Sequence, residues 1–296
     1  MYLVGPTCFR LVLVWQCVFF PVVSSASFRF ADNFQQDQTL LADVAPPNPA
    51  GPSGIDIWSR SDYLISTFWK DGDGFVSSFR YEDEDGDDSG NDTDNFQSSY
   101  TYGEVTTMGV RQLTHALFYD NCKSNCENAQ TTTTTTFPEN HGTYVFYDLG
   151  SGVGRLVAQM YLDRVVQKAI GVELSKERHQ VAVDDWRRLT SSLVDGGDDY
   201  FNIDQQAVQF RNKDATDVDL SDATHVYISS LCFPESVINI IQSNVLDVAS
   251  SDTSKISVVA ALSELGALEQ AGWVRTVKYI QMTWGSGLVR IYNRPT

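Results

Sequence analysis

Basic residues are scarce in this chain. Its 296 residues include 21 lysines and arginines against 38 aspartates and glutamates, which gives a net charge of −17. Much of the acidic excess lies at residues 81–95, YEDEDGDDSGNDTDN, a stretch with too few apolar residues to offset the entropy of ordering. Because phosphate contacts need Lys and Arg, direct binding of nucleic acid is not expected. The stretch is predicted to be a solvated, disordered linker, or an acidic tail that holds a basic protein partner.

Long hydrophobic runs are also absent. The apolar run after Arg10, LVLVWQCVFFPVV, has thirteen residues, whereas a helix that spans a bilayer needs roughly 20, so no stable membrane span is expected. The small residues SSAS follow it, as at a cleavage site, and residues 1–26 are therefore predicted to be a signal or targeting peptide. The next residues, SFRF, resemble the start expected after plastid-directed presequences. Secretory or organellar entry is the prediction, and a membrane-associated start or an unused upstream extension is the alternative.

Cysteine and histidine are too few to predict a metal centre. Of five cysteines, two would leave with the presequence, and Cys122, Cys126 and Cys232 remain. No CxxC motif or nearby pair of histidines accompanies them, so no zinc site is predicted. Cys122 and Cys126 could pair in an oxidising compartment or share one face of a helix.

The organisation of the chain changes after residue 98. Residues 27–98 are predicted to be an extension with one capping helix, Ile57 to Phe68, and the acidic linker. A helix is predicted from Thr106, with Met108, Leu113 and Leu117 in the core. From Tyr144 onward, strands alternate with helices, and the first of these helices is predicted over Gly152 to Leu162. The last two strands, WVRTVKYIQMTW and SGLVRIYNR, read as an antiparallel hairpin. The sequence therefore predicts an α/β domain over 99–296: a Rossmann-like, doubly wound, mostly parallel seven-stranded sheet that ends in a hairpin, the architecture of class I methyltransferases.

A glycine-rich turn follows the first strand of this domain. In FYDLGSGVGRLV, Gly150, Gly152 and Gly154 are followed by Arg155, where a dinucleotide fingerprint would need glycine. Asp148 before the glycines is unfavourable for a pyrophosphate but suits a ligand with an ammonium group, and S-adenosyl-L-methionine has one. Glu173 ends the second strand, where a carboxylate can accept both ribose hydroxyls. Asp214, with Ala215, is placed to bind the adenine amino group.

Five segments resemble one known family. TYGEVT, YDLGSGVGRLV, GVELS, THVYISSLCF and MTWGSGLVRIY have the order and spacing found in the non-SET histone lysine methyltransferases, the disruptor-of-telomeric-silencing or DOT-type family. The resemblance covers roughly residues 99–294. It implies an S-adenosyl-L-methionine-dependent methyltransferase that modifies a lysine of a protein, with a histone among the expected substrates. It also implies a nuclear location, which conflicts with the targeting peptide.

The resemblance implies a role for each matching residue. Tyr102, Gly103 and Glu104 would fold over the cofactor, and Glu173 would bind the ribose. The methionine cradle would run from Asp148 to Gly154, and the cofactor contacts implied in all are Tyr102, Gly103, Glu104, Asp148, Gly150, Ser151, Gly152, Gly154, Glu173, Asp214, Ala215 and Ser230.

The residues expected around the methyl acceptor depart from the family pattern. Ser229 and Ser230 stand where the family has two asparagines, ahead of Leu231-Cys232-Phe233. We predict Phe233, Trp284 and Tyr292 as walls of a lysine channel and Ser229 as the acceptor of the amine's hydrogen bond. The alternatives are a methyltransferase acting on a small molecule or another protein residue, and a non-catalytic scaffold that binds the cofactor. A monomer is expected.

Overall fold

The computed structural model describes residues 57–69, 104–119, 144–195 and 203–295. The predicted targeting peptide, the acidic linker, the lid residues Tyr102 and Gly103, and Cys122 and Cys126 lie outside these ranges. The domain boundaries proposed above therefore remain predictions.

Seven strands form one sheet in the order β3-β2-β1-β4-β5-β7-β6. Strands β1 to β5 run parallel, and β7 is inserted antiparallel between β5 and β6. Their bounds are β1 Val145–Leu149, β2 Lys168–Glu173, β3 Val208–Asn212, β4 His225–Ile228, β5 Val258–Ala261, β6 Val274–Met282 and β7 Gly285–Asn293. The predicted fold class is confirmed, including the terminal hairpin.

Six α-helices are described. Their bounds are α1 Ile57–Phe68, α2 Thr107–Thr114, α3 Arg155–Leu162, α4 Lys176–Asp195, α5 Glu235–Ala249 and α6 Gly266–Gln270. A π-helical turn, His115–Tyr119, extends α2, and two short 3₁₀ turns, Ala215–Asp217 and Ser230–Cys232, follow β3 and β4. None of the helices in the described ranges is long and apolar enough to cross a membrane.

The helices cover both faces of the sheet. Successive side chains along a strand point to opposite faces of the sheet. In β1, Phe146 therefore packs into one apolar core, and Tyr147 and Leu149 pack into the other. The first core takes residues from α1 to α4, and the second takes residues from α5 and α6. A central strand such as β1 is therefore buried on both sides, which explains its nearly continuous apolar sequence.

Two expectations about the helices need correction. Met108 was expected in the core but is 38% exposed, whereas Leu113 and Leu117 are buried as predicted. The helix expected from Gly152 starts at Arg155, because Gly152 and Gly154 have φ angles of 56° and 80°, outside the helical region. The predicted capping helix is present over Ile57–Phe68.

Candidate active site

A cavity of about 470 Å³ opens at the carboxyl ends of the parallel strands, within the range typical of small-molecule sites. In a doubly wound sheet this edge is where ligands bind, because the strand-to-helix turns converge there. Ten of the residues predicted as site residues line it: Glu104, Asp148, Gly150, Ser151, Glu173, Asp214, Ala215, Ser229, Phe233 and Trp284.

The glycine turn forms one wall of the cavity. Gly150, Gly152 and Gly154 all have positive φ angles, at 88°, 56° and 80°, which only glycine adopts without strain. The amides of Gly150 and Ser151 both donate to the Val172 carbonyl, at 2.8 and 3.0 Å, and tie the turn to β2. At Gly154 a Cβ atom would lie 2.3 Å from the Phe210 ring, so this glycine permits close packing of α3 on the sheet. Gly152 and Gly154 therefore shape the turn without lining the cavity.

Asp148 lies at the base of this turn with its side chain buried. Its Oδ1 atom has no hydrogen-bond partner among the described residues. Burial, followed by the charges of Glu173 and Glu104, raises the pKa of Asp148 well above 3.8, and a hydrogen bond with Ser229 opposes that rise. An unpaired buried carboxylate is unfavourable unless a ligand supplies a cation. The α-ammonium group of S-adenosyl-L-methionine fits this requirement.

Glu173 ends β2 and is held from three directions. Its Oε2 atom accepts from the Gly152 amide at 2.9 Å, and Oε1 accepts from the Ser175 amide at 2.8 Å and from Arg178 at 2.6 Å. A carboxylate offers about four lone-pair sites, so these bonds leave one on Oε2. The remaining lone pair can accept from one ribose hydroxyl and not from both as expected, and the three bonds fix the orientation of the carboxylate.

Glu104 forms the edge of the cavity opposite β2. Its amide donates to the Thr283 hydroxyl at 3.1 Å, and its carbonyl accepts from the Thr283 amide at 2.8 Å. Its carboxylate lies 3.7 Å from the Arg155 guanidinium. Arg155, the residue that breaks the dinucleotide fingerprint, thus connects the start of α3 to the predicted lid.

Asp214 and Ala215 lie at the far end of the cavity, after β3. Asp214 caps the 3₁₀ turn, because its Oδ1 atom accepts from the Thr216 amide and hydroxyl, both at 2.8 Å. The cap does not use Oδ2, which leaves this oxygen for an adenine amino group. Lys213 and Leu174 line the same end.

The other end of the cavity is largely apolar. Phe233, Leu262 and Trp284 line it, together with Leu231 at its mouth, and the latter two are 41% and 55% exposed. Ser229 follows β4, and its hydroxyl lies close enough to Asp148 and Tyr227 to lower the pKa of each. Ser229 thus lies between the Asp148 carboxylate and the apolar end.

Two more predicted site residues, besides Gly152 and Gly154, do not reach the cavity. Tyr292 is completely buried in the second core, and its hydroxyl accepts from the Leu265 amide at 2.8 Å. The prediction that it walls the channel is wrong, because β7 runs antiparallel and its end lies beside the start of β5, where Tyr292 pairs with Val259. Ser230 is also buried and accepts from the Ser263 amide at 2.8 Å, so it anchors the loop after β5 and does not contact the cofactor space.

Sequence reasoning missed several residues that line the cavity. Arg178 and Tyr227 are polar residues among them, and Leu231 and Leu262 are apolar. Tyr227 could have been found from its spacing, because it lies two residues before Ser229 and so shares its side of the strand. Arg178 gave no such signal, since its role depends on the first turn of α4 packing beside Glu173.

No metal centre is visible in the described ranges. They contain no group of three or more His, Cys, Asp or Glu side chains that could hold a metal ion. Cys232 is exposed.

The sheet order, the glycine turn and the two carboxylates define a class I methyltransferase, and the site fits S-adenosyl-L-methionine as its cofactor. Residues 129–267 match the protein family described as "Histone methylation protein DOT1". The resemblance to the DOT-type family is thereby confirmed over these residues, which include YDLGSGVGRLV, GVELS and THVYISSLCF but not TYGEVT or MTWGSGLVRIY.

The chain is similar in fold to solved methyltransferases. One is an RNA methyltransferase from Salinibacter ruber in complex with S-adenosyl-L-homocysteine, at 21% identity over 52% of this chain and 82% of that one, with a TM-score of 0.36. Another is a putative tRNA (m1A22) methyltransferase from Streptococcus pneumoniae in complex with S-adenosyl-L-methionine, at 13% identity over 52% and 67%, with a TM-score of 0.38. Sequence identities and TM-scores this low carry no information about the methyl acceptor. No curated protein matches the chain.

Proposed function

We propose that this methyltransferase transfers the methyl group of S-adenosyl-L-methionine to the side-chain amine of a lysine in a protein. The observation that carries the proposal is the apolar end of the cavity, where Phe233, Leu262 and Trp284 adjoin the cofactor site. The match of residues 129–267 to a histone methylation family also supports it. A histone is one expected substrate.

The apolar walls would make the amine a nucleophile. Lysine has an ordinary pKa near 10.4, so its deprotonation near pH 7 costs about 4–5 kcal/mol. Removal from water disfavours the charged form of an amine and so lowers this cost. Phe233 and Trp284 would supply that desolvated surface while the long methylene chain packs between them.

Ser229 would orient the amine. With Asp148 ionised, the Ser229 hydroxyl would donate its single proton to that carboxylate, and the neighbouring Tyr227 hydroxyl would donate to the serine oxygen. One lone pair of that oxygen is left to accept from the target amine. The serine therefore stands in for the asparagine of the family pattern, with a shorter side chain already fixed by two partners.

The cofactor supplies an electrophilic methyl group on a sulfonium, which an in-line amine attacks as the carbon–sulfur bond breaks. The chain's own contribution is positioning in a water-excluded site. Asp148 would hold the ammonium end, Glu173 the ribose, and Asp214 the adenine. No residue needs to form a covalent bond.

The substrate is expected to approach as a basic protein segment. The chain carries a net charge of −17, which attracts lysine-rich partners and repels the phosphates of nucleic acid. The proposal therefore includes no direct contact with DNA or RNA. The enzyme is proposed to act as a monomer.

Transfer of labelled methyl groups tests this proposal. The full chain is incubated with methyl-labelled S-adenosyl-L-methionine and with core histones, nucleosomes, total RNA or a small-molecule extract. Label on lysine of a protein, absent with Gly152→Arg, is the expected result. Label found only in RNA or in small molecules would refute lysine methylation, and cofactor binding without transfer to any of these would indicate a non-catalytic scaffold.

A further inference from the structure

Trp69, directly after α1, contacts the glycine turn from outside the cavity. Its side chain is only 1% exposed, and its indole Nε1–H donates to the Val153 carbonyl at 2.8 Å. Val153 lies between Gly152 and Gly154 in the turn that forms the cavity wall. A residue 84 positions earlier in the sequence therefore holds the centre of the cofactor loop.

The turn depends on such contacts because its glycines do not fix its shape. Glycine occupies positive and negative φ with similar ease, and three of the five residues from Gly150 to Gly154 are glycines. The inner side of the turn is held by the Glu173 carboxylate on the Gly152 amide. The outer side is held by the Trp69 indole on the next carbonyl along the chain.

Helix α1 is itself anchored, so Trp69 is presented by a fixed element. The buried Ser61 hydroxyl donates to Asp163 at the end of α3, and Gln159 of α3 donates to the same carboxylate at 3.2 Å. Arg111 of α2 pairs with Asp62 at 2.5 Å. These polar contacts join α1 to α2 and to α3, the helix that follows the glycine turn.

We propose that Trp69 is a positioning residue for cofactor binding, and that α1 is part of the cofactor site although it precedes the segments that resemble the methyltransferase family. Trp69 acts through the Val153 carbonyl and touches no cofactor atom. The inference rests on S-adenosyl-L-methionine as the cofactor and is independent of the methyl acceptor.

Trp69→Phe in the full chain tests the inference, because phenylalanine keeps an aromatic ring but has no N–H to donate. Trp186→Phe is the matched control, since the buried Trp186 indole nitrogen has no partner among the described residues. A net hydrogen bond contributes about 0.5–1.5 kcal/mol, so Trp69→Phe should raise the Kd for S-adenosyl-L-methionine roughly 2- to 13-fold. The control should leave the Kd unchanged.

Two further readouts separate positioning from general stability. Calorimetry is done well below the unfolding temperature, where a loss of stability alone does not change Kd. Hydrogen exchange should quicken at the amides of Gly152 and Gly154 in Trp69→Phe but not elsewhere in the sheet. In turnover, the KM for the cofactor should rise while kcat at saturating cofactor stays near that of the wild type.

An unchanged Kd and unchanged exchange in a folded Trp69→Phe protein would overturn the inference. Failure of the wild type to bind the cofactor would instead refute the cofactor assignment. If Trp69→Phe does not fold, Ser61→Ala is used, with the exposed Ser66→Ala as control. Ser61→Ala should weaken cofactor binding at least about twofold by loosening α1, and equal affinity of the two serine variants would overturn the inference.

Discussion

Replacing Asp148 with asparagine should weaken cofactor binding and, at the same time, stabilise the free protein. Asparagine has the same shape, and its carbonyl oxygen can still accept from the Ser229 hydroxyl, but it carries no charge. Both effects arise at the Oδ1 atom of Asp148, which has no hydrogen-bond partner among the described residues. This lack of a partner is unfavourable in the free protein, whereas the ammonium group of the cofactor would supply the partner in the complex.

The loss of affinity follows from the strength of a charge-assisted hydrogen bond. Such bonds contribute about 1.5–3 kcal/mol, so Asp148→Asn should raise the Kd for S-adenosyl-L-methionine roughly 10- to 150-fold. The Asp148 side chain is almost fully buried at the cavity wall, so solvent screens the interaction only weakly.

The gain in stability follows from the direction of the pKa shift. Burial, with the charges of Glu173 and Glu104, raises the pKa of Asp148 above 3.8. A carboxyl with a raised folded pKa contributes stability that is fully present below its unfolded pKa and is lost as the pH rises through the folded pKa. Because asparagine does not titrate, the variant's advantage in free energy of unfolding should widen as the pH rises.

Calorimetric titration with S-adenosyl-L-methionine and urea unfolding without it measure the two effects. Asp222→Asn is the control, because it changes the net charge equally but Asp222 pairs with Tyr147 and Lys168, outside the cavity. It should leave the Kd unchanged.

Either of two results would refute the reasoning. If Asp148→Asn binds the cofactor as tightly as the wild type, the carboxylate does not hold the ammonium group. If the free variant is less stable than the wild type at every pH, the buried carboxylate is satisfied by a contact within the protein.

Three other predictions concern stability and location. Burial lowers the pKa of His225 from 6.5 to about 3, so the contribution of neutral His225 to stability is present above pH 6.5 and is lost as the pH falls. In urea unfolding, the wild type should therefore lose about 2 kcal/mol more free energy of unfolding between pH 8 and pH 5 than His225→Gln does. Equal losses in the two proteins would contradict this prediction. Gly154→Ala should cost about 2–4 kcal/mol, because its Cβ would clash with Phe210 at a positive φ. Gly266→Ala, with open space around its Cβ, should be nearly neutral, and similar losses for the two variants would argue against the clash. A fluorescent fusion of the full chain should enter the secretory pathway or an organelle, and a fusion without residues 1–26 should not; identical distributions would rule out the targeting peptide.

The sheet and the cofactor end of the cavity could be predicted from the sequence because their signals are local. Strand β1 is a short apolar run followed at once by glycines, and Glu173 ends the next strand. In a parallel sheet, the turns after successive strands meet at one edge, so these residues converge whatever the details of packing.

The end of the cavity proposed to hold the methyl acceptor could not be predicted in the same way, because its residues depend on the register and direction of the β6–β7 hairpin. Trp284 lies in the turn between β6 and β7, at the edge where the cavity opens, whereas Tyr292 lies eight residues later near the opposite edge. Trp69 gave no signal at all, because its contact with Val153 joins distant parts of the sequence.

The bonds between Glu104 and Thr283 join residues 179 positions apart, and this separation determines when the site can exist during synthesis of the chain. Translation proceeds at about 5–20 residues per second, so Thr283 is added roughly 9 to 36 seconds after Glu104. Until β6 and β7 have been made and paired, the nascent chain has the glycine turn but no opposite wall. The cofactor can therefore stabilise only the finished fold, and loss of the hairpin should leave a chain that the cofactor cannot rescue.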